Sequence, residues 1–134
     1  SVEKVTTSKF YFLFRLCILT IFLSDKLNFR TNKNDKLMRI LERIQLLLLD
    51  GNSIYLFHIY DKLEEINNLR GLQLTTDDVD ETILNGEIIE ILDNDERGQR
   101  YVIKGLACDS VTVLEIVCRI KGNLIIITVY EPYF

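Results

Sequence analysis

The chain has 134 residues, nearly half of them apolar, a formal net charge of −4 and a single histidine, His58. That length fits one domain with a core of its own. The lone histidine excludes a histidine-rich metal site, and three cysteines (Cys17, Cys108, Cys118) without a C-x-x-C pair fit reduced, cytoplasmic thiols better than a disulfide framework or a zinc site. The charge is uneven: residues 1–35 hold six Lys/Arg and three acids, a net of +3, so the remainder carries −7. An acidic body is not the usual footprint of a nucleic-acid binder.

Position 1 is Ser, which reads as a fragment or a processed product. Phe10 to Leu23 is an apolar run interrupted by Arg15, shorter than the ~20 residues that span a bilayer. It has the length of a signal-peptide core, but no A-x-A-like cleavage site follows. Three readings stay open: a membrane-associating or signal segment, an element covering the domain, or upstream sequence. We take residues 1–35 as an appendage, or as a mistranslated or poorly docked apolar segment, and expect no membrane anchor; 36–134 is a single α+β domain.

Lys36 to Asp50 has Leu37, Ile40, Leu41, Ile44, Leu47 and Leu48 at helical spacing, with Asp35 to cap it and Gly51 just past its end. Gly51 to Phe57 reads as a connector. His58 to Arg70 is a second helix with Ile59, Leu63, Ile66 and Leu69 as its buried stripe and Gly71 as C-cap. Thr75 and Asp78 predict a capping box for a third helix, with Asp77, Asp78, Asp80 and Glu81 at the positive end of its dipole. Asn85-Gly86 ends it, the glycine expected in the left-handed conformation.

Four strands follow: Glu87–Leu92, Arg100–Leu106, Val111–Ile120 and Leu124–Tyr130, separated by the polar loop Asp93–Gln99, a turn at Ala107–Ser110, and Lys121-Gly122-Asn123. In the third, Thr112, Leu114, Ile116, Cys118 and Ile120 alternate with Val111, Val113, Glu115, Val117 and Arg119. Connections this short favour antiparallel neighbours. The expected fold is N-terminal helices packed on a four-stranded antiparallel sheet.

A leucine-rich helix, a Gly51-to-His58 spacing, a charged helix ending in Arg70-Gly71, Asp78-Val79, N-G-E-I-I-E at 85–90, Arg97-Gly98, Val117-Cys118 and I-I-T-V-Y-E-P at 126–132 together resemble domain-of-unknown-function family 4258 over about residues 36–132. The resemblance implies a small bacterial protein related to RelE/barnase-like ribonuclease toxins: a cofactor-free, metal-independent endoribonuclease with RNA as substrate and a small antitoxin as partner. The chain departs from the family at two places. The segment after His58 is longer than the family's and lacks its first arginine, and Glu115 stands where a second histidine often occurs.

Cleavage through the 2′-hydroxyl needs a base, an acid and cations for the phosphorane. The side chains available for this chemistry make His58, Arg70 and Tyr130 the catalytic candidates and Arg97, Arg100 and Arg119 the phosphate binders, an arginine being able to grip phosphate through two donors. Each has a plainer structural reading. His58 suits a helix start, Arg97 a solvated loop, Tyr130 a core position, and Arg100 and Lys104 suit cross-strand pairs with Glu87 and Glu90. The alternative function is a degenerate, non-enzymatic binding module.

Overall fold

The computed structural model describes residues 32–93 and 95–132. The apolar run Phe10–Leu23, with most of the expected appendage, lies outside the described residues. The chain divides into two units after Gly51.

The first unit contributes helix α1, Asn32–Leu49. It starts four residues before the expected Lys36, so Asp35 lies in its first turn, where it pairs with Arg39 at 3.8 Å instead of capping. Ile44, Gln45 and Leu48 are buried. Gly51 closes the helix with φ 78° and an N–H donated to the Leu48 carbonyl at 3.1 Å.

The second unit has the order β1 (Ser53–Tyr55), α2 (Phe57–Arg70), α3 (Thr76–Asn85), β2 (Glu87–Leu92), β3 (Arg100–Leu106), β4 (Val113–Lys121) and β5 (Asn123–Tyr130). The sheet has five strands, not four, in the order β1-β5-β4-β3-β2. The four long strands pair antiparallel as expected. The expected connector at 51–57 contains the fifth, which pairs parallel to β5 with Ser53 opposite Leu124 and Tyr55 opposite Ile126. Three residues are too few for an alternation to show, and the long stretch between β1 and β5 permits the parallel crossover.

α2 and α3 cover one sheet face, which carries Ile103, Leu114, Ile116, Cys118, Ile126 and Val129, all fully buried. Ile59, Leu63 and Ile66 of α2 are buried as expected, whereas Leu69 is 71% exposed. The last turn of α2 borders a groove beside the end of β5, so the stripe outruns the surface it packs on. The α3 capping box forms: Thr75 accepts from the Asp77 N–H, and Asp78 accepts from the Thr75 N–H at 2.8 Å. Asp78 accepts also from the Cys108 N–H at 3.0 Å, tying the helix start to the β3–β4 turn. The Tyr55 hydroxyl donates to Asp80, joining the edge strand to α3.

Gly86 departs from expectation. Its φ of −90° and ψ of −176° are extended, not left-handed. It is glycine because a Cβ there would lie 2.5 Å from the Thr82 carbonyl oxygen and 2.7 Å from that of Lys104. Gly105 of β3 meets the same crossing from the other side, 2.5 Å from the Thr82 oxygen and 2.9 Å from the Gly86 Cα. Asn85 seals the crossing: its amide donates to the Leu106 carbonyl at 2.7 Å and accepts from the Leu106 N–H at 2.8 Å.

Candidate functional site

The sheet face opposite the helices holds most of the polar chemistry. Register places Glu115 of β4 beside Tyr130 of β5 and Lys104 of β3, and Val117 beside Thr128 and Val102. Alternation puts Arg119 on this face too, four residues from Glu115 and so about 13 Å along the strand. Arg119 and Tyr130 therefore share a face of one hairpin. A bulge at Ile127 keeps Thr128 and Tyr130 on this face while Ile126 stays in the core. Arg100 enters from the start of β3 opposite Leu92 and Glu90 lies opposite Val102, so of the expected cross-strand charge partners only Lys104 and Glu87 face each other.

A cleft of about 390 Å³ opens on this face. Its polar lining is His58, Glu90, Arg100, Glu115, Thr128 and Tyr130. His58 reaches it from the first turn of α2, whose N-cap, Leu56, makes no side-chain cap bond but donates its N–H to the Ile126 carbonyl at 3.0 Å. That strand-like bond fixes the start of α2 against β5. Tyr130 is not the core residue its alternation allowed; it is 46% exposed.

Arg70 lies elsewhere. It ends α2, about 18 Å from His58 along the axis at ~1.5 Å per residue, and pairs with Glu131. A second groove of about 170 Å³ contains this pair together with Lys62, Leu69 and Tyr130. The Lys62 ammonium sits 5.5 Å from the centre of the Tyr130 ring, a cation–π contact. Tyr130 thus borders both grooves, His58 only the first and Arg70 only the second.

The phosphate-binding candidates separate as well. Arg97 is exposed in the β2–β3 loop, and its backbone N–H donates to Asp95 at 2.9 Å. Arg119 is buried, with 7% of its surface exposed, and its Nη2 donates to Asp95 Oδ2 at 2.8 Å. Arg100 Nε approaches the same oxygen at 3.5 Å. The Arg97 N–H, followed by the Arg119 guanidinium, holds the Asp95 carboxyl below its ordinary value of 3.8. Arg119 Nη1 and Thr128 Oγ1 are buried without a hydrogen-bond partner among the described residues; an unsatisfied buried donor costs about 1–3 kcal/mol.

Sequence reasoning named His58, Arg100, Arg119, Tyr130 and the substituted Glu115. It missed Glu90, Thr128 and Asp95. The period-2 pattern could have put Glu90 on the face of Leu92, but nothing local shows that a loop aspartate reaches two arginines on different strands. Among the described residues, no group of three His, Cys, Asp or Glu side chains is placed to hold a metal ion, and no helix is long and apolar enough to cross a membrane.

These features define a small α+β domain with helices on one sheet face and a polar cleft on the other. The family model for DUF4258, a domain of unknown function, matches residues 66–131, and over that segment the chain is similar to this family. The matched segment is shorter than the 36–132 span of the motif resemblance; it begins within α2, after His58, and includes Arg70, Arg97, Arg100, Arg119 and Tyr130. No curated protein and no solved structure matches the chain.

Proposed function

We propose that the domain cleaves RNA through the 2′-hydroxyl, with the cleft opposite the helices as its site. One observation carries the reading: a histidine, an arginine, a tyrosine and two carboxylates line a single cleft. In this scheme the Glu115 carboxylate takes the 2′ proton, and the 2′ oxygen attacks the adjacent phosphorus. The bond to the 5′ oxygen breaks, and that oxygen receives its proton from the His58 imidazolium. The products are a 2′,3′-cyclic phosphate and a free 5′-hydroxyl. Arg100 offsets charge on the phosphorane, and Tyr130, beside Glu115, positions the substrate. Arg70 has no part, being held by Glu131 in the other groove.

The test is cleavage of end-labelled RNA by the full chain, wild type beside His58→Ala. The expected result is cyclic-phosphate ends from wild type and a loss of about 10²–10⁴-fold in the variant, the usual contribution of a positioned acid or base. Equal cleavage by both, or none by folded wild type, overturns the assignment.

A second reading has its own support. Arg70, Arg100 and Arg119 are each engaged by a carboxylate of the same chain, as suits a chain that has lost RNA cleavage and retains a protein partner of the antitoxin kind. Folded wild type that leaves RNA intact and co-purifies with a small protein encoded beside it would favour this reading.

A further inference from the structure

Arg119 lies in the sheet with nine-tenths of its surface covered, yet one of its terminal nitrogens has no partner among the described residues. Its other terminal nitrogen is met by a carboxylate from an exposed loop, not from a neighbouring strand. The same carboxylate oxygen is approached by Arg100, and the carboxylate's second oxygen accepts from a loop N–H. A guanidinium offers five N–H donors, and the single Asp95 oxygen that Arg119 meets leaves its other terminal nitrogen unmet among the described residues. Thr128, on the same face and bordering the cleft, adds a buried hydroxyl without a partner.

We propose that Arg119 and Arg100 form an oxyanion site, that Asp95 is its built-in occupant, and that a phosphate group displaces it. A tetrahedral phosphate brings more acceptors than a carboxylate and can reach the spare donor of Arg119. In the resting chain the aspartate offsets part of the charge of the two cations between ligands, which keeps Arg119 from standing as an uncompensated buried charge. The inference rests on the reading of this face as one that handles phosphate, but it concerns binding alone. The chain could bind phosphate here without cutting RNA, or cut RNA with Asp95 in place throughout.

The experiment is calorimetric titration of the full chain with inorganic phosphate and, separately, with a short oligoribonucleotide. Wild type is compared with Asp95→Asn and with Asp93→Asn, which removes an equal charge from the same loop where it only accepts from Gln99. If the aspartate occupies the site about nine-tenths of the time, its removal tightens binding about tenfold. Asp95→Asn is expected to show that gain and Asp93→Asn is not. A gain for inorganic phosphate alone identifies a free phosphate or small ester as the ligand; a gain extending to the oligonucleotide identifies the backbone phosphodiester. Equal affinities in all three proteins overturn the proposal. Nitrogen NMR of wild type at high phosphate gives a readout independent of the variants' folding: the Arg119 and Arg100 Nε signals must shift together with the amides of 95–97, and their constancy overturns the proposal as well.

Discussion

Gly105→Ala tests the helix–sheet crossing that holds β3, and with it Arg100 and Val102, in place. The new methyl carbon would lie 2.5 Å from the Thr82 carbonyl oxygen, 2.6 Å from Asn85 Oδ1 and 2.9 Å from the Gly86 Cα. Two of those three atoms are backbone, so no side-chain rotation relieves the clash, and α3 must lift from β3. Overpacking of this kind costs about 1–3 kcal/mol. The lift also strains the two bonds between Asn85 and Leu106, each with a net value of about 1 kcal/mol. The expected destabilisation is about 3 kcal/mol, equivalent to a fall in Tm of roughly 10–20 °C for a unit of this size. Urea and thermal unfolding followed by circular dichroism measure it. Gly71→Ala is the control: Gly71 has φ 65° with nothing within 4 Å of its added Cβ. That variant carries only the left-handed penalty of about 1–2 kcal/mol. If Gly105→Ala proves no more destabilising than Gly71→Ala, the crossing is not close-packed and the account of both Gly86 and Gly105 fails.

Asp95 makes folding depend on pH with a defined sign. Its carboxyl is held below the ordinary 3.8 in the folded chain, so its stabilisation is fully present above that value and is lost as pH falls through the lower folded value. Wild type should exceed Asp95→Asn in unfolding midpoint at pH 6, and the gap should begin to narrow as pH falls below 3.8; a gap that does not narrow on further acidification refutes the charge assignment. Cys108 is exposed, yet desolvation, followed by the charge and hydrogen bond of Asp78, pushes its thiol up to about 12. In a Cys17→Ser background at pH 8 it should be alkylated roughly a hundredfold more slowly in the folded chain than after denaturation. Comparable rates would show that the β3–β4 turn does not hold the thiol against Asp78.

Much of the fold was written locally. The Thr75/Asp78 capping box, the helix stop at Gly71 and the antiparallel pairing of β3, β4 and β5 rest on neighbouring residues or on short turns, and such interactions act over a few positions in the chain. The alternation of β4 likewise placed Glu115 and Arg119 on one face before any partner strand was known. Leu69 failed the same reasoning because helical spacing names a stripe without saying where the surface beneath it stops.

What the tertiary structure decided was convergence. The sequence supplied His58, Arg70 and Tyr130 as a set, but helix rise separates the first two, and only the positions of β1 and β5 bring His58 to the face of Glu115 and Arg100. β1 gives no signal of its own because three residues become a strand only when β5 offers its edge. Gly86 looked like a helix stop and proved to be the contact point of a helix with a strand remote in sequence. Asp95, in a loop with no apolar pattern, gained its two arginine partners from the starts of β3 and the end of β4. Local propensity and periodicity are short-range properties readable along the chain; an ion pair or a close crossing between distant strands exists only once the sheet has set the distance between them.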